Sequence, residues 1–121
     1  PPYYANSCIP NPSPPNNAVY AFWDDLDPSL NGGVYYQSFG ADTFVIEWLD
    51  VPKYGSVSRE TFEMVLKRDG RIKLQYKDVG TTGSCTVGIE NAAGTTASQT
   101  LCNGVGMPLA NGTALWLTSA P

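Results

Sequence analysis

The 121-residue chain contains no histidine. That removes the Ser/His/Asp and Cys/His catalytic arrangements, the usual zinc sites and the commonest general acid or base near neutral pH. Positive charge is also scarce: 7 Lys and Arg stand against 11 Asp and Glu, a net −4. No nucleic-acid partner is expected, because phosphate neutralisation needs a clustered excess of basic side chains. Uninterrupted apolar runs last only a few residues, far short of the roughly 20 that cross a bilayer, so no membrane insertion is expected. No basic-then-apolar leader is visible, and an exported mature fragment is the expectation.

What remains has the composition of a secreted, extracellular all-β domain: 15% charged residues, 12 Gly, and abundant Thr, Ser, Asn and Tyr. The length suits one core and is too short for two. Two regions differ in character. Residues 1–17, PPYYANSCIPNPSPPNN, hold six of the ten prolines and no charged side chain, so they cannot donate a regular ladder of hydrogen bonds and read as an arm or linker. Either this arm is a polyproline-like connector, or it docks on a neighbouring copy through Tyr3, Tyr4 and Ile9.

Residues 18–121 read as the folded domain, a two-sheet antiparallel β-sandwich of jelly-roll type. Period-two patterning predicts about eight strands, near 18–23, 33–39, 42–50, 60–68, 71–79, 84–90, 96–102 and 113–119. The clearest signal is TFEMVLKRDGRIKLQYKDV. There Phe62, Met64 and Leu66 alternate with Glu63, Val65 and Lys67, Asp69-Gly70 turns the chain, and Ile72, Leu74 and Tyr76 resume the alternation. In TFVIEWLDV, Phe44, Ile46 and Trp48 share one face and Val45, Glu47 and Leu49 the other, before Pro52 ends pairing. Phe22, Phe44, Trp48, Phe62 and Tyr76 fall on predicted inward faces.

Three cysteines leave one over after any single bridge. A hairpin turn centred near residues 93 and 94 sets Cys85 close to Cys102, which is the preferred pairing and leaves Cys8 as an odd thiol open to another chain. The other option is Cys8 with Cys102, which would pin the arm and leave Cys85 as a buried thiol. Asp24, Asp25, Asp27 and Asn31 offer hard oxygen ligands of the kind calcium takes, so calcium is a possible cofactor. The glycine and closing glutamate of the twelve-residue helix-loop-helix pattern are missing, however, and Asp-Pro and Asn-Gly are ordinary turn formers. A glycosidase would need two carboxylates facing each other across a cleft. Glu47, Glu63 and Glu90 can be nominated, but each falls on a predicted polar strand face, where a solvated glutamate is expected, so no enzymatic activity is expected.

Trp23, Tyr35, Tyr36, Tyr54 and Trp116 are the candidates for a stacking surface, with the loops near 24–33 and 51–58 as its rim. Five of the seven basic residues, Lys67, Arg68, Arg71, Lys73 and Lys77, lie on one hairpin, apart from the acidic cluster. Opposite-sign patches favour contacts between copies. Asn111-Gly112-Thr113 is a glycosylation sequon.

The string AFWDDLDPSLNGGVYYQSFGADTFVIEWLDVPKYG, followed by TFEMVLKRDGRIKLQYKDV and TVGIENAAGT, resembles a β-sandwich module of secreted bacterial multidomain proteins, often appended to extracellular peptidases. It is also similar to the nidogen-type extracellular domain, through FWDDLD, VYY, TFEMVL and TVGIEN. The similarity runs from about Ala18 to Leu117 and leaves the arm outside. It implies a non-catalytic role, as an accessory binding or adhesion module that recognises a polysaccharide or protein surface. It transfers no site residues. The alternative is a structural protomer of an extracellular filament, whose partners are other copies of itself and whose arm makes the subunit contacts.

Overall fold

A computed structural model describes residues 3–118. Among them there is no helix, and nine strands form: β1 (Ala18–Trp23), β2 (Gly33–Phe39), β3 (Thr43–Pro52), β4 (Arg59–Lys67), β5 (Ile72–Asp78), β6 (Thr86–Glu90), β7 (Ala97–Cys102), β8 (Val105–Gly106) and β9 (Thr113–Leu117). The fold is all-β with two antiparallel sheets, as the patterning predicts. The two-residue β8 is additional to the eight expected strands, and the end of the strand expected over 113–119 lies outside the described residues. The chain divides into two compact units, each holding one sheet.

The first unit comprises residues 1–26 and 81–108, with strand order β1-β6-β7-β8. Its proline-rich segment lies on its own sheet. The Ile9 N–H donates to Gln99 Oε1 at 2.9 Å, the Asn11 N–H to Glu90 Oε1 at 2.6 Å, and Asn6 Nδ2 to Thr86 Oγ1 and Asn103 Oδ1 at 2.9 and 2.8 Å. The Thr86 hydroxyl donates to the Ser7 carbonyl at 2.8 Å, and the Ile9 side chain is buried. Side chains thus supply the partners that a segment without a ladder of its own requires.

A disulfide joins Cys8 to Cys102 with Cα atoms 5.5 Å apart, and Cys85 is a buried free cysteine. The expected Cys85–Cys102 bridge and the odd thiol at Cys8 are therefore corrected. Near the turn the hairpin is centred as expected, with Glu90 opposite Ala97 and Gly88 opposite Gln99. A register shift between Val87 and Gly88 then sets Thr86, not Cys85, opposite Cys102. A one-residue slip turns a side chain to the other face of a strand. Cys102 consequently shares a face with Thr86, whose hydroxyl holds the segment carrying Cys8.

The second unit comprises residues 27–80 and 109–121, with strand order β2-β3-β4-β5-β9. Its pairing is continuous from edge to edge. One face carries Phe44, Ile46 and Trp48 of β3 opposite Leu66, Met64 and Phe62 of β4, and these opposite Ile72, Leu74 and Tyr76 of β5. Trp48 stacks on Phe62 at 4.8 Å, while Phe62, Leu74 and Tyr76 are buried. Burying this face stabilises the unit at ~25 cal/mol per Å² of apolar surface removed from water. The Asp69-Gly70 turn forms as predicted, with the Gly70 N–H donating to the Lys67 carbonyl at 3.0 Å and Gly70 at a φ of 89°. A bulge between Trp48 and Val51 places Asp50 at a φ of 53° and reorients the end of β3, so that Val51 is fully buried.

Candidate binding site

The second face of the five-stranded sheet carries the polar half of the alternation. Directly opposed residues share a face, so the pairings Tyr35↔Glu47, Glu47↔Glu63, Glu63↔Gln75 and Gln75↔Ala114 make one row across all five strands. The next row runs Gln37, Val45, Val65, Lys73 and Trp116. A depression of about 310 Å³ is lined by Glu47, Thr61, Glu63, Gln75, Lys77 and Ala114, among others. A second, of about 210 Å³, shares Glu47 and Glu63 and is bordered by Tyr35 and Phe39. Two carboxylates therefore stand at the centre of a shallow surface with aromatic rings toward both edges. With strands ~4.8 Å apart, β2 and β9 are separated by ~19 Å, the reach of a short oligosaccharide.

The electrostatics of this centre follow from the register. Glu47 and Glu63 are directly opposed, and like charges in that position repel. Burial pushes the Glu63 carboxyl above its ordinary value of 4.5; the Glu47 charge adds to the rise and Lys73 opposes it. The Gln75 amide donates to Glu63 Oε1 and fixes that carboxylate in the row. At the β9 side, the Arg71 guanidinium and the Lys73 ammonium lie 5.2 and 5.7 Å from the centroid of the Trp116 ring and orient it. Such a surface can accept hydrogen bonds from hydroxyl or amine groups at its centre while flat apolar faces rest on Tyr35, Phe39 or Trp116. The two glutamates project side by side from one sheet face rather than from opposing walls, which suits recognition better than acid–base work on a bond between them.

A family model described as NIDO related matches residues 2–115. The chain belongs to this family. No curated protein and no solved structure matches significantly. A NIDO-related domain is an extracellular-type module, in keeping with the disulfide. The match takes in the proline-rich segment, which the sequence resemblance left outside, and the bonds between that segment and β6 and β7 agree with its being part of the NIDO-related unit.

The five aromatic candidates do not form one patch. Tyr35 and Trp116 share the polar face of the sheet, whereas Tyr36 projects from the opposite face, where it meets Phe44 at 5.8 Å. Tyr54 is exposed in the turn between β3 and β4. Trp23 belongs to the first unit, stacks on Tyr20 at 4.8 Å and donates its indole N–H to the Tyr3 carbonyl at 2.8 Å, so packing accounts for it. Sequence reasoning overlooked Phe39 and Gln75, took Lys73 only as part of a basic patch and set Glu47 and Glu63 aside, because only the strand register shows that these residues meet.

The other nominated residues serve local structure. Glu90 is buried, not solvated, and accepts from Asn11 and from the Tyr20 hydroxyl, which lies 3.0 Å from Oε2. Asp24 Oδ2 accepts from Ser84 at 3.0 Å and Oδ1 from the Asp25 N–H at 2.8 Å. Asp27 Oδ1 accepts from the N–H and hydroxyl of Ser29, and Asn31 Nδ2 donates to Asp50. No group of three or more Asp, Glu, Cys or His side chains is placed to hold a metal ion among the described residues. Asn111 is exposed; its Oδ1 accepts from the Val79 N–H at 2.9 Å and its Nδ2 donates to Asp78 at 3.3 Å.

Proposed function

We propose that this NIDO-related domain is a non-catalytic binding module of a larger extracellular protein, recognising a polysaccharide on the polar face of its five-stranded sheet. The observation that carries the reading is the in-register row Tyr35–Glu47–Glu63–Gln75 at the centre of two adjoining depressions. Sugars present hydroxyls at the ring edge and apolar C–H faces above and below. Carboxylate and amide groups suit the first and aromatic rings the second. The alternative, a filament protomer joined through exchanged arms, has less support, because the Cys8 segment is tied to its own sheet by a disulfide.

The test is co-sedimentation with a panel of insoluble polysaccharides, neutral and charged, for the parent and for Tyr35→Ala, Glu47→Gln and Trp116→Ala. The expected result is retention on at least one polymer, lost in Tyr35→Ala with the unfolding temperature unchanged, and retained in Tyr54→Ala. Failure to bind any polymer in the panel, or binding unaffected by all three substitutions, refutes the assignment.

A further inference from the structure

The two depressions on the polar face of the five-stranded sheet join into one trough. Both are lined by Glu47 and Glu63; from there one continues to Tyr35 and Phe39 of β2, and the other to Gln75, Lys77 and Ala114 on the β9 side. All five strands lend side chains to it. Its long axis therefore follows the row Tyr35–Glu47–Glu63–Gln75–Ala114 across the strands, not the direction of any one of them. That row runs the full width of the sheet, because β2 and β9 are its outermost strands. It ends on the exposed ring of Tyr35 at one edge and on the exposed methyl of Ala114 at the other. We infer, on the polysaccharide-binding reading of this face, that the trough holds an interior stretch of a linear polysaccharide laid across the five strands, and not a chain end or a single sugar.

The ends of the row carry the choice between interior and terminus. A site that reads a terminal sugar needs a block where the chain would continue, since only a clash or an unpaired polar group discriminates against the longer ligand. A tyrosine that is half exposed and a small side chain such as Ala114 supply no such block, so a chain can leave the row at both edges. The distribution of chemistry along the row agrees. Acceptors for sugar hydroxyls stand at the centre, where the Gln75 amide fixes Glu63 beside Glu47. Rings stand at the two sides, with Tyr35 on β2 and Trp116, one row along from Ala114, on β9. With strands ~4.8 Å apart these rings are separated by ~19 Å, the span of about four pyranose units. A disaccharide reaches the centre or one ring, whereas a tetrasaccharide reaches both rings while keeping the central hydrogen bonds.

Calorimetric titration of the full chain with the dimer, tetramer and hexamer of the cello-, chito- and laminari-oligosaccharide series reads the length dependence. In the series that binds, affinity is expected to rise at least about tenfold from dimer to tetramer and to change by less than about threefold from tetramer to hexamer. On soluble hydroxyethylcellulose, glycol chitin or laminarin of increasing chain length, the number of domains bound per chain at saturation should rise with length. Ala114→Leu raises the floor at the β9 end of the row and should cancel most of the gain from dimer to tetramer with the unfolding temperature unchanged. Val57→Ser, at a position 98% exposed and outside the row, should keep that gain. A dimer that binds as tightly as the hexamer, a number of domains per chain that does not rise with length, or a length dependence untouched by Ala114→Leu overturns the interior-chain assignment and leaves polysaccharide binding standing. Absence of binding to every oligosaccharide and polymer refutes both.

Discussion

Replacing Cys8 by serine releases the only covalent tie between the proline-rich segment and β7. The bridge spans a sequence separation of 94 residues. A loop of about that length costs the unfolded chain ~4.7 kcal/mol of conformational freedom in the chain-entropy argument, and that contribution is lost with the bridge. The native state itself changes little, because Asn6, Ile9 and Asn11 keep their hydrogen bonds to β6, β7 and the adjoining loop. Cys8→Ser is therefore expected to stay folded and to lose about 4–5 kcal/mol in urea unfolding, or ~15–20 °C in unfolding temperature at this chain length. The companion variant is Cys85→Ala, which removes one buried sulfur and is expected to cost only about 1 kcal/mol. Had Cys85 been the partner of Cys102, the shorter loop would contribute about 3 kcal/mol and the ranking of the two variants would reverse. A loss below ~1.5 kcal/mol for Cys8→Ser, or a larger loss for Cys85→Ala, refutes the pairing and the role given to the arm.

Three further outcomes follow from individual environments. Burial, with the Glu90 hydrogen bond and charge beside it, raises the Tyr20 hydroxyl from 10.0 to about 12. The stabilisation this represents is complete below pH 10 and is lost as pH rises toward about 12; ultraviolet titration should show a late tyrosine, and Tyr20→Phe should remove it at a cost of about 1–3 kcal/mol in neutral buffer. Gly94 and Gly70 both have positive φ, but a Cβ at Gly94 would stand 2.3 Å from the Asn11 carbonyl oxygen, whereas one at Gly70 would meet nothing within 4 Å. Gly94→Ala should therefore destabilise by at least ~1 kcal/mol more than Gly70→Ala, and equal losses would mean that the arm does not lie where described. The Glu63 carboxyl is raised, so its charged form weakens the fold as pH rises through that value; Glu63→Gln should stabilise the domain at neutral pH, with the gain disappearing in acid. Thermal unfolding across pH decides this, and a loss of stability at neutral pH would contradict it.

The strands were legible because their side chains alternate. Phe62, Met64 and Leu66, then Ile72, Leu74 and Tyr76, report a buried face with no knowledge of what covers it. For the disulfide the sequence left two pairings, and the one it ranked second, Cys8 with Cys102, is the one that forms; the preferred one fails because a register shift beside Gly88 exchanges Thr86 for Cys85 opposite Cys102 and nothing in composition marks it. The hydrogen-bonded docking of the arm was hidden. It depends on side chains of Gln99, Glu90 and Thr86 that lie 79 or more residues away in sequence, with no period to reveal them. For the candidate site, Tyr35 and Trp116 were visible as aromatics, but the row that joins Tyr35 to Glu47, Glu63 and Gln75 exists only once three registers are known. Each glutamate alone reads as a solvated residue on a polar face.

That row also carries an electrostatic conflict. Two other acids of the second unit have cations beside them: Asp50 has Arg59 at 3.0 Å and Asp69 has Arg71 at 2.8 Å. Glu47 and Glu63, by contrast, oppose each other directly, and Lys73, the cation that relieves Glu63, is shared with the face of Trp116. A lysine or glutamine at either position would remove the repulsion without disturbing the alternation, so the arrangement has an electrostatic cost that the sheet does not require. Local features that reduce stability with no structural return tend to mark functional sites. The Glu63→Gln variant separates the two readings in one molecule. If the glutamates only decorate a solvated face, the variant gains stability at neutral pH and loses nothing else; if they form the binding centre, the same gain comes with loss of polysaccharide retention.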